Sequence, residues 1–237
     1  MNNRAPLLKP SSTADRVASI LRERILIVEE GEYLGSESDL AAEIGVSLPT
    51  LRQASRMLEY EQLLKIKPGK GGGYFTRRPS IDTAIKSASQ YLAAFNVNDR
   101  SMFMDTADPI MKTVLQAAVR CEDEALIAQL ESFVANQKKN AKNLLPPDQS
   151  FKVSIDLMNL FGKMSGNILL ELFANIMWNE ISTMRATGNY DDSPEIVKTN
   201  YRTRLRVAEA VLARDADKAV NAWDKRSKFL RSWKKRE

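Results

Sequence analysis

Residues 36–76 read SESDLAAEIGVSLPTLRQASRMLEYEQLLKIKPGKGGGYFT, and this stretch decides the fold. Ser36 is placed to cap a helix, with Asp39 in the reciprocal position three residues on and Leu40, Ala41 and Ile44 as its apolar side. Gly45 ends that helix. Ser47 caps a second one beginning at Leu48, where Pro49 is harmless because first-turn N–H groups have no intrahelical partner. At about 100° per residue, the second helix puts Leu51, Ala54, Ser55 and Leu58 inward and Pro49, Arg52, Gln53, Arg56 and Tyr60 outward. Residues 63–67 alternate as a short strand, 68–73 form a glycine-rich turn, and 74–76 return as a second strand. Two capped helices across a very short turn, followed by a hairpin, is the order of a winged helix-turn-helix.

That order implies a reader of double-stranded DNA. An outward face with two arginines and a glutamine suits a major groove, where such groups pair with phosphates or base edges. A merely solvated helix face is the alternative that the helix alone leaves open. The glycines of the wing allow close approach to a phosphate backbone. The expected DNA contacts are Ser36, Ser47, Pro49, Thr50, Arg52, Gln53, Arg56, Lys70, Gly72 and Tyr74.

Charge agrees. The whole chain of 237 residues carries a net +5, yet residues 44–78 alone hold Arg52, Arg56, Lys65, Lys67, Lys70, Arg77 and Arg78 against Glu59 and Glu61, which is also +5. A basic patch confined to the second helix and the wing is what phosphate attraction requires. The basic tail after Lys225 reads as a solvated helix end. Cys121 is alone, so no intrachain disulfide forms and a reducing cytoplasm is the natural compartment. No signal peptide and no apolar run long enough to span a membrane is evident.

The length suits two domains. Residues 1–11 are expected to be disordered, 12–78 to form the winged helix-turn-helix with a first helix over 14–28, and 79–237 to form an all-helical domain. Within the latter, periodicity predicts helices near 80–95, 99–120, 122–142, 149–164, 167–187, 194–213 and 215–233. Pro146-Pro147, Ser165-Gly166-Asn167 and residues 187–193 separate successive helices, and Pro109 should kink the one that contains it. An antiparallel bundle is the simplest architecture for helices joined by such short loops. The fold class is therefore mostly α.

One arginine is in the wrong place for a surface residue. On the helix over 194–213, Val197, Tyr201, Leu205, Ala208, Val211 and Leu212 define an apolar stripe, and Arg204 falls within about 40° of its centre. Arg226 sits at the edge of the stripe made by Ala216, Ala219, Val220, Trp223 and Leu230. A buried guanidinium needs an acceptor. Two readings stand: an anion-binding pocket, or arginines that snorkel or pair with internal carboxylates such as Asp156 or Glu171.

Residues 36–76 resemble the DNA-binding domain of GntR-family transcription regulators, and the PGKGGGYFT wing is similar to that of the FadR-like branch, whose ligand domain is of the FCD type. Two departures stand out. The family commonly has arginine where Ser38 and Leu48 stand, and only Arg52 of that set is kept, so the family's usual operator does not carry over. FCD domains often hold a divalent metal through an Asp and three His. Anchored on Ser165-Gly166-Asn167 and on Asp215, those four positions fall on Ser154, Met158, Arg204 and Arg226, and the chain has no histidine. The resemblance thus implies a lost metal site, with no cofactor, in which two arginines keep positive charge and bind a small carboxylate directly. The implied effector residues are Ser154, Met158, Asn167, Tyr201, Arg204, Trp223 and Arg226.

The resulting expectation is a homodimeric, ligand-responsive regulator, a repressor of genes for uptake or catabolism of the small organic acid it senses. A constitutive architectural DNA binder is the rival, distinguished by the lack of any small-molecule effect on DNA affinity. An enzyme is a weaker rival, because histidine, a nucleophile elbow, a P-loop and a metal cluster are all lacking in the sequence.

Overall fold

The computed structural model describes residues 12–95, 100–139, 144–188 and 190–232. They divide into two compact units, one up to Ala84 and one from Ile85 onward, so the division falls inside a helix rather than at residue 78. The expected disorder of residues 1–11 and the expected helix ends at 142 and 233 lie outside the described residues.

The first unit holds α1 (Thr13–Ile27), β1 (Tyr33–Gly35), α2 (Glu37–Ile44), α3 (Leu48–Tyr60), β2 (Leu64–Lys67) and β3 (Gly73–Thr76). Local chemistry sets each boundary. Ser12 and Asp15 form a complete capping box on α1. Ser36 accepts from the Asp39 backbone, and its hydroxyl in turn donates to the Asp39 carboxylate at 2.6 Å. Gly45, with φ +76°, ends α2 in the left-handed conformation and lets α3 begin after only two further residues. The unit's core is one cluster in which Val17, Leu21 and Ile25 of α1 meet Leu40 of α2 and Leu51, Ala54 and Leu58 of α3.

The sheet is antiparallel in the order β1-β3-β2, with Leu64 opposite Thr76 and Lys67 opposite Gly73. β1 is an addition to the two strands legible in sequence. Its three residues, Tyr-Leu-Gly, are too few to show alternation, and pairing with β3 is what holds them extended. Arg78 is half-buried and donates to the carbonyls of Ile25 and Val28, so this member of the basic patch is occupied in closing the end of α1.

The second unit begins within α4 (Ile81–Ala94) and continues through α5 (Arg100–Ala118), α6 (Glu124–Lys139), α7 (Pro147–Met164), α8 (Ile168–Ala186), α9 (Pro194–Leu212) and α10 (Ala216–Ser232). These match the expected helices to within a few residues. α5 runs on through Pro109. In the antiparallel bundle α7 packs on α8, α9 on α10, and α5 on both α8 and α10. The core centres on Met111, Leu115, Leu157, Phe161, Trp178, Val207 and Trp223. No described helix is long and apolar enough to cross a membrane.

Candidate functional sites: an exposed helix face and a buried arginine cavity

The outer face of α3 is built as its periodicity dictates. Pro49, Arg52, Gln53, Arg56 and Tyr60 are exposed, and all five line an open groove with Met57 and Glu61. Ser47 caps α3 through the Thr50 backbone N–H, and the Ser47 and Thr50 hydroxyls lie 2.9 Å apart. Ser36 is half-exposed at the start of α2, and Lys70 is exposed at the wing.

Three details come from the structure alone. Arg52 is not free in this structure: its Nε and Nη2 donate to the two carboxylate oxygens of Glu37 at 2.7 and 2.9 Å. That guanidinium holds the Glu37 carboxyl below the usual carboxylate range. Tyr74, expected at the DNA surface, is only 3% exposed, its ring in the core and its hydroxyl donating to Glu37 Oε1 at 3.3 Å. The strand alternation that turns Phe75 outward turns Tyr74 inward, so Tyr74 orients the Glu37–Arg52 pair instead of reaching DNA. Gly72 is fixed by the wing's own turn, since a Cβ there would be driven into the Lys67 and Gly69 carbonyl oxygens.

In the second unit Ser150, Ser154 and Met158 follow one another at i, i+4 and i+8 along α7, and Asn200 and Arg204 at i, i+4 along α9. Together with Trp178 of α8, Thr203 of α9 and Trp223 and Arg226 of α10, Ser154, Met158, Asn200 and Arg204 line a cavity of about 20 Å³. The four positions that the family resemblance pointed to, Ser154, Met158, Arg204 and Arg226, thus lie around one cavity, with Trp223 beside them.

Arg204 is 3% exposed. Its Nη1 donates to the Ser150 carbonyl at 2.8 Å, to Ser150 Oγ at 3.1 Å and to Ser154 Oγ at 2.7 Å, while its buried Nε has no acceptor. Among the described residues it makes no ion pair. Asp156, considered above as its partner, is exposed and bonded to Lys152. Burial lowers the Arg204 guanidinium to about 10, and Arg226 pushes it in the same direction. Arg226 donates from Nε to Asn200 Oδ1 at 2.8 Å and lies over the Trp223 ring at 4.8 Å.

Two expected effector residues fall elsewhere. Asn167 is exposed, and its Oδ1 caps α8 by accepting from the Leu169 and Leu170 N–H groups. Tyr201 turns toward α6, where its hydroxyl donates to the Gln137 carbonyl at 2.9 Å. Conversely Ser150, Trp178, Asn200 and Thr203 belong to the site without having been picked out from sequence. A four-residue spacing from Arg204 and from Ser154 is the signal for Asn200 and Ser150, whereas Trp178 and Thr203 carry none.

Residues 13–72 match the gntR family of bacterial regulatory proteins, and residues 110–225 match the FCD domain. Over 204 residues the chain is 24% identical to the HTH-type transcriptional repressor NanR of Cronobacter sakazakii, covering 81% of this chain and 73% of that protein. Its fold is similar to that of the Streptococcus agalactiae GntR protein, with a TM-score of 0.66 at 16% identity over 93% of this chain and 100% of the other. A winged helix-turn-helix followed by a helical ligand-binding domain defines a ligand-responsive, DNA-binding transcription regulator. The chain belongs to the GntR family, in the branch that carries an FCD domain.

Proposed function

We propose that this regulator is a cytoplasmic, homodimeric repressor without enzymatic activity, whose effector is a small organic acid bound by Arg204 and Arg226. Operator contacts are assigned to Arg52, Gln53 and Arg56 on α3, to the capped helix starts at Ser36, Ser47 and Thr50, and to Lys70 on the wing.

The observation that carries the effector reading is Arg204. A guanidinium this deeply buried normally faces a carboxylate, because the cost of desolvating a cation is otherwise only partly offset. Here neutral oxygens take one nitrogen, Nε is left over, and Arg226 adds the repulsion of a second cation. An entering carboxylate supplies what is missing, in the bidentate geometry that guanidinium favours. Occupancy then shifts the protein toward the state with the lower DNA affinity, by as much as the effector's preference for that state.

The FCD resemblance raises a divalent metal at the same cavity. The residues present do not fit one: a hydroxyl already accepting from a guanidinium, a thioether and two cations repel or ignore a hard dication. The arginine site therefore binds its acid without a metal.

A thermal-shift screen of organic acids on wild type and Arg204→Met tests the proposal. A stabilising acid whose effect vanishes in the variant supports it, and equal stabilisation of both proteins refutes it. A solution mass near that of one 26.7 kDa chain would refute the dimer.

A further inference from the structure

We infer that the effector is an amphipathic monocarboxylate, its carboxylate at Arg204 and its apolar body lodged in a second cavity; this deepens, and rests on, the arginine reading above. Trp178, Trp223 and Arg226 line both cavities. The second, of about 40 Å³, is otherwise walled mostly by apolar side chains, among them Phe103, Met104, Met184, Ile196 and Leu230.

Polar demand is concentrated at one end. Among the described residues, Arg204 Nε and Trp178 Nε1 are buried donors with no acceptor; Arg204 lines the arginine cavity, and Trp178 stands in the wall that the two cavities share. A carboxylate offers lone pairs for each. At the other end the polar groups are engaged: Asp108 accepts from Trp223 Nε1 at 3.1 Å, from Ser227 Oγ at 2.7 Å and from Arg231 Nη2 at 3.0 Å. Hydroxyl groups on the ligand body would lose water there for little return. Asp108 already holds three donors and the walls are otherwise mostly apolar, so a second carboxylate would lose its water there for little return.

The two cavities as they stand hold only a few atoms, and the walls supply the adjustment. Arg226 stands with Trp178 and Trp223 in the wall common to both, and an occupant that spans them displaces its long side chain from the Trp223 face. Met104 and Met184 are unbranched and adapt to the shape of an occupant.

Calorimetric titration of the full-length protein with butyrate, hexanoate, octanoate, succinate and gluconate tests the inference. Affinity should rise about fourfold per added methylene through the straight-chain series until the space is filled. Succinate and gluconate should bind at least tenfold more weakly than hexanoate. Ala107→Leu, which adds bulk to a residue lining the second cavity, should bring hexanoate and octanoate down to the level of butyrate, and Arg204→Met should remove all binding. A flat chain-length series that still depends on Arg204 overturns the apolar arm and leaves the arginine site standing. Affinity that grows with chain length but survives Arg204→Met overturns both, as does the absence of binding by every acid. The wild-type series decides the matter even if a variant fails to fold.

Discussion

Arg204 balances a large cost against local gains. The fall to about 10 corresponds to a folded-state penalty on the order of 3 kcal/mol for the charged form. Hydrogen bonds from a charged group return about 1.5–3 kcal/mol each, but here they share a single nitrogen. The net is near zero, so Arg204→Met, which keeps most of the volume, should leave unfolding free energy within about 2 kcal/mol of wild type or raise it. Denaturant unfolding checks this; loss of folding would mean that the arginine is a structural keystone. The sign with pH follows from the lowered value: the folded form releases its proton first, so the penalty is complete at neutral pH and is relieved as pH climbs above about 10 toward the ordinary guanidinium range. Wild type should therefore gain stability relative to Arg204→Met over that window. Metal analysis bears on the same residues. Untagged protein should carry no stoichiometric zinc, manganese or nickel and gain no stability from them, and one metal per chain by elemental analysis would contradict the account. Arg204 was legible in sequence because a charge within an apolar stripe breaks a pattern. Ser150, Asn200 and Thr203 were not, since small polar residues on a helix break none. Tyr201 shared the stripe but faces α6, a direction that angular position alone does not fix.

At the level of elements, α2 and α3 were readable almost to the residue because caps, Gly45 and a 3.6-residue period coincide. The wing was readable through its glycines, whereas β1 was not, being stabilised by its partner strand rather than by its own composition. The Glu37–Arg52 pair was also invisible, since it joins residues fifteen apart through tertiary placement. An exposed pair of this kind is weak and exchanges readily for a phosphate or a guanine edge. Arg52→Ala should accordingly weaken operator binding roughly tenfold to a hundredfold, with less effect on unrelated DNA. Lys70→Ala should weaken all sequences alike and flatten the dependence on salt. Fluorescence anisotropy across a salt series separates the two effects, and unchanged affinity in both variants would remove α3 and the wing from the interface. Gly72→Ala should cost about 1–3 kcal/mol in the winged unit, because the added methyl has only backbone to displace. The predicted result is a lower melting temperature with weaker DNA binding; wild-type values for both would show that the turn relaxes at no cost.

For the whole molecule, sequence was enough to separate a basic reader from a helical sensor, because the charge asymmetry and the change from short strands to long helices fall at nearly the same place. The structural division is a few residues later, inside α4, a helix with no buried residue and hence no strong packing signal to mark which unit owns it. Coupling between reader and sensor is the central claim, and it is a statement about differential affinity: an acid that binds both states equally changes nothing however tightly it is held. The direct measurement is anisotropy of an operator recovered by in vitro selection, titrated with wild type and with Arg204→Met, each with and without the acid that stabilises wild type. The account predicts that the acid weakens operator binding by wild type at least fivefold, and that Arg204→Met binds the operator normally and ignores the acid. Release of both proteins by the same acid, or of neither, would contradict it.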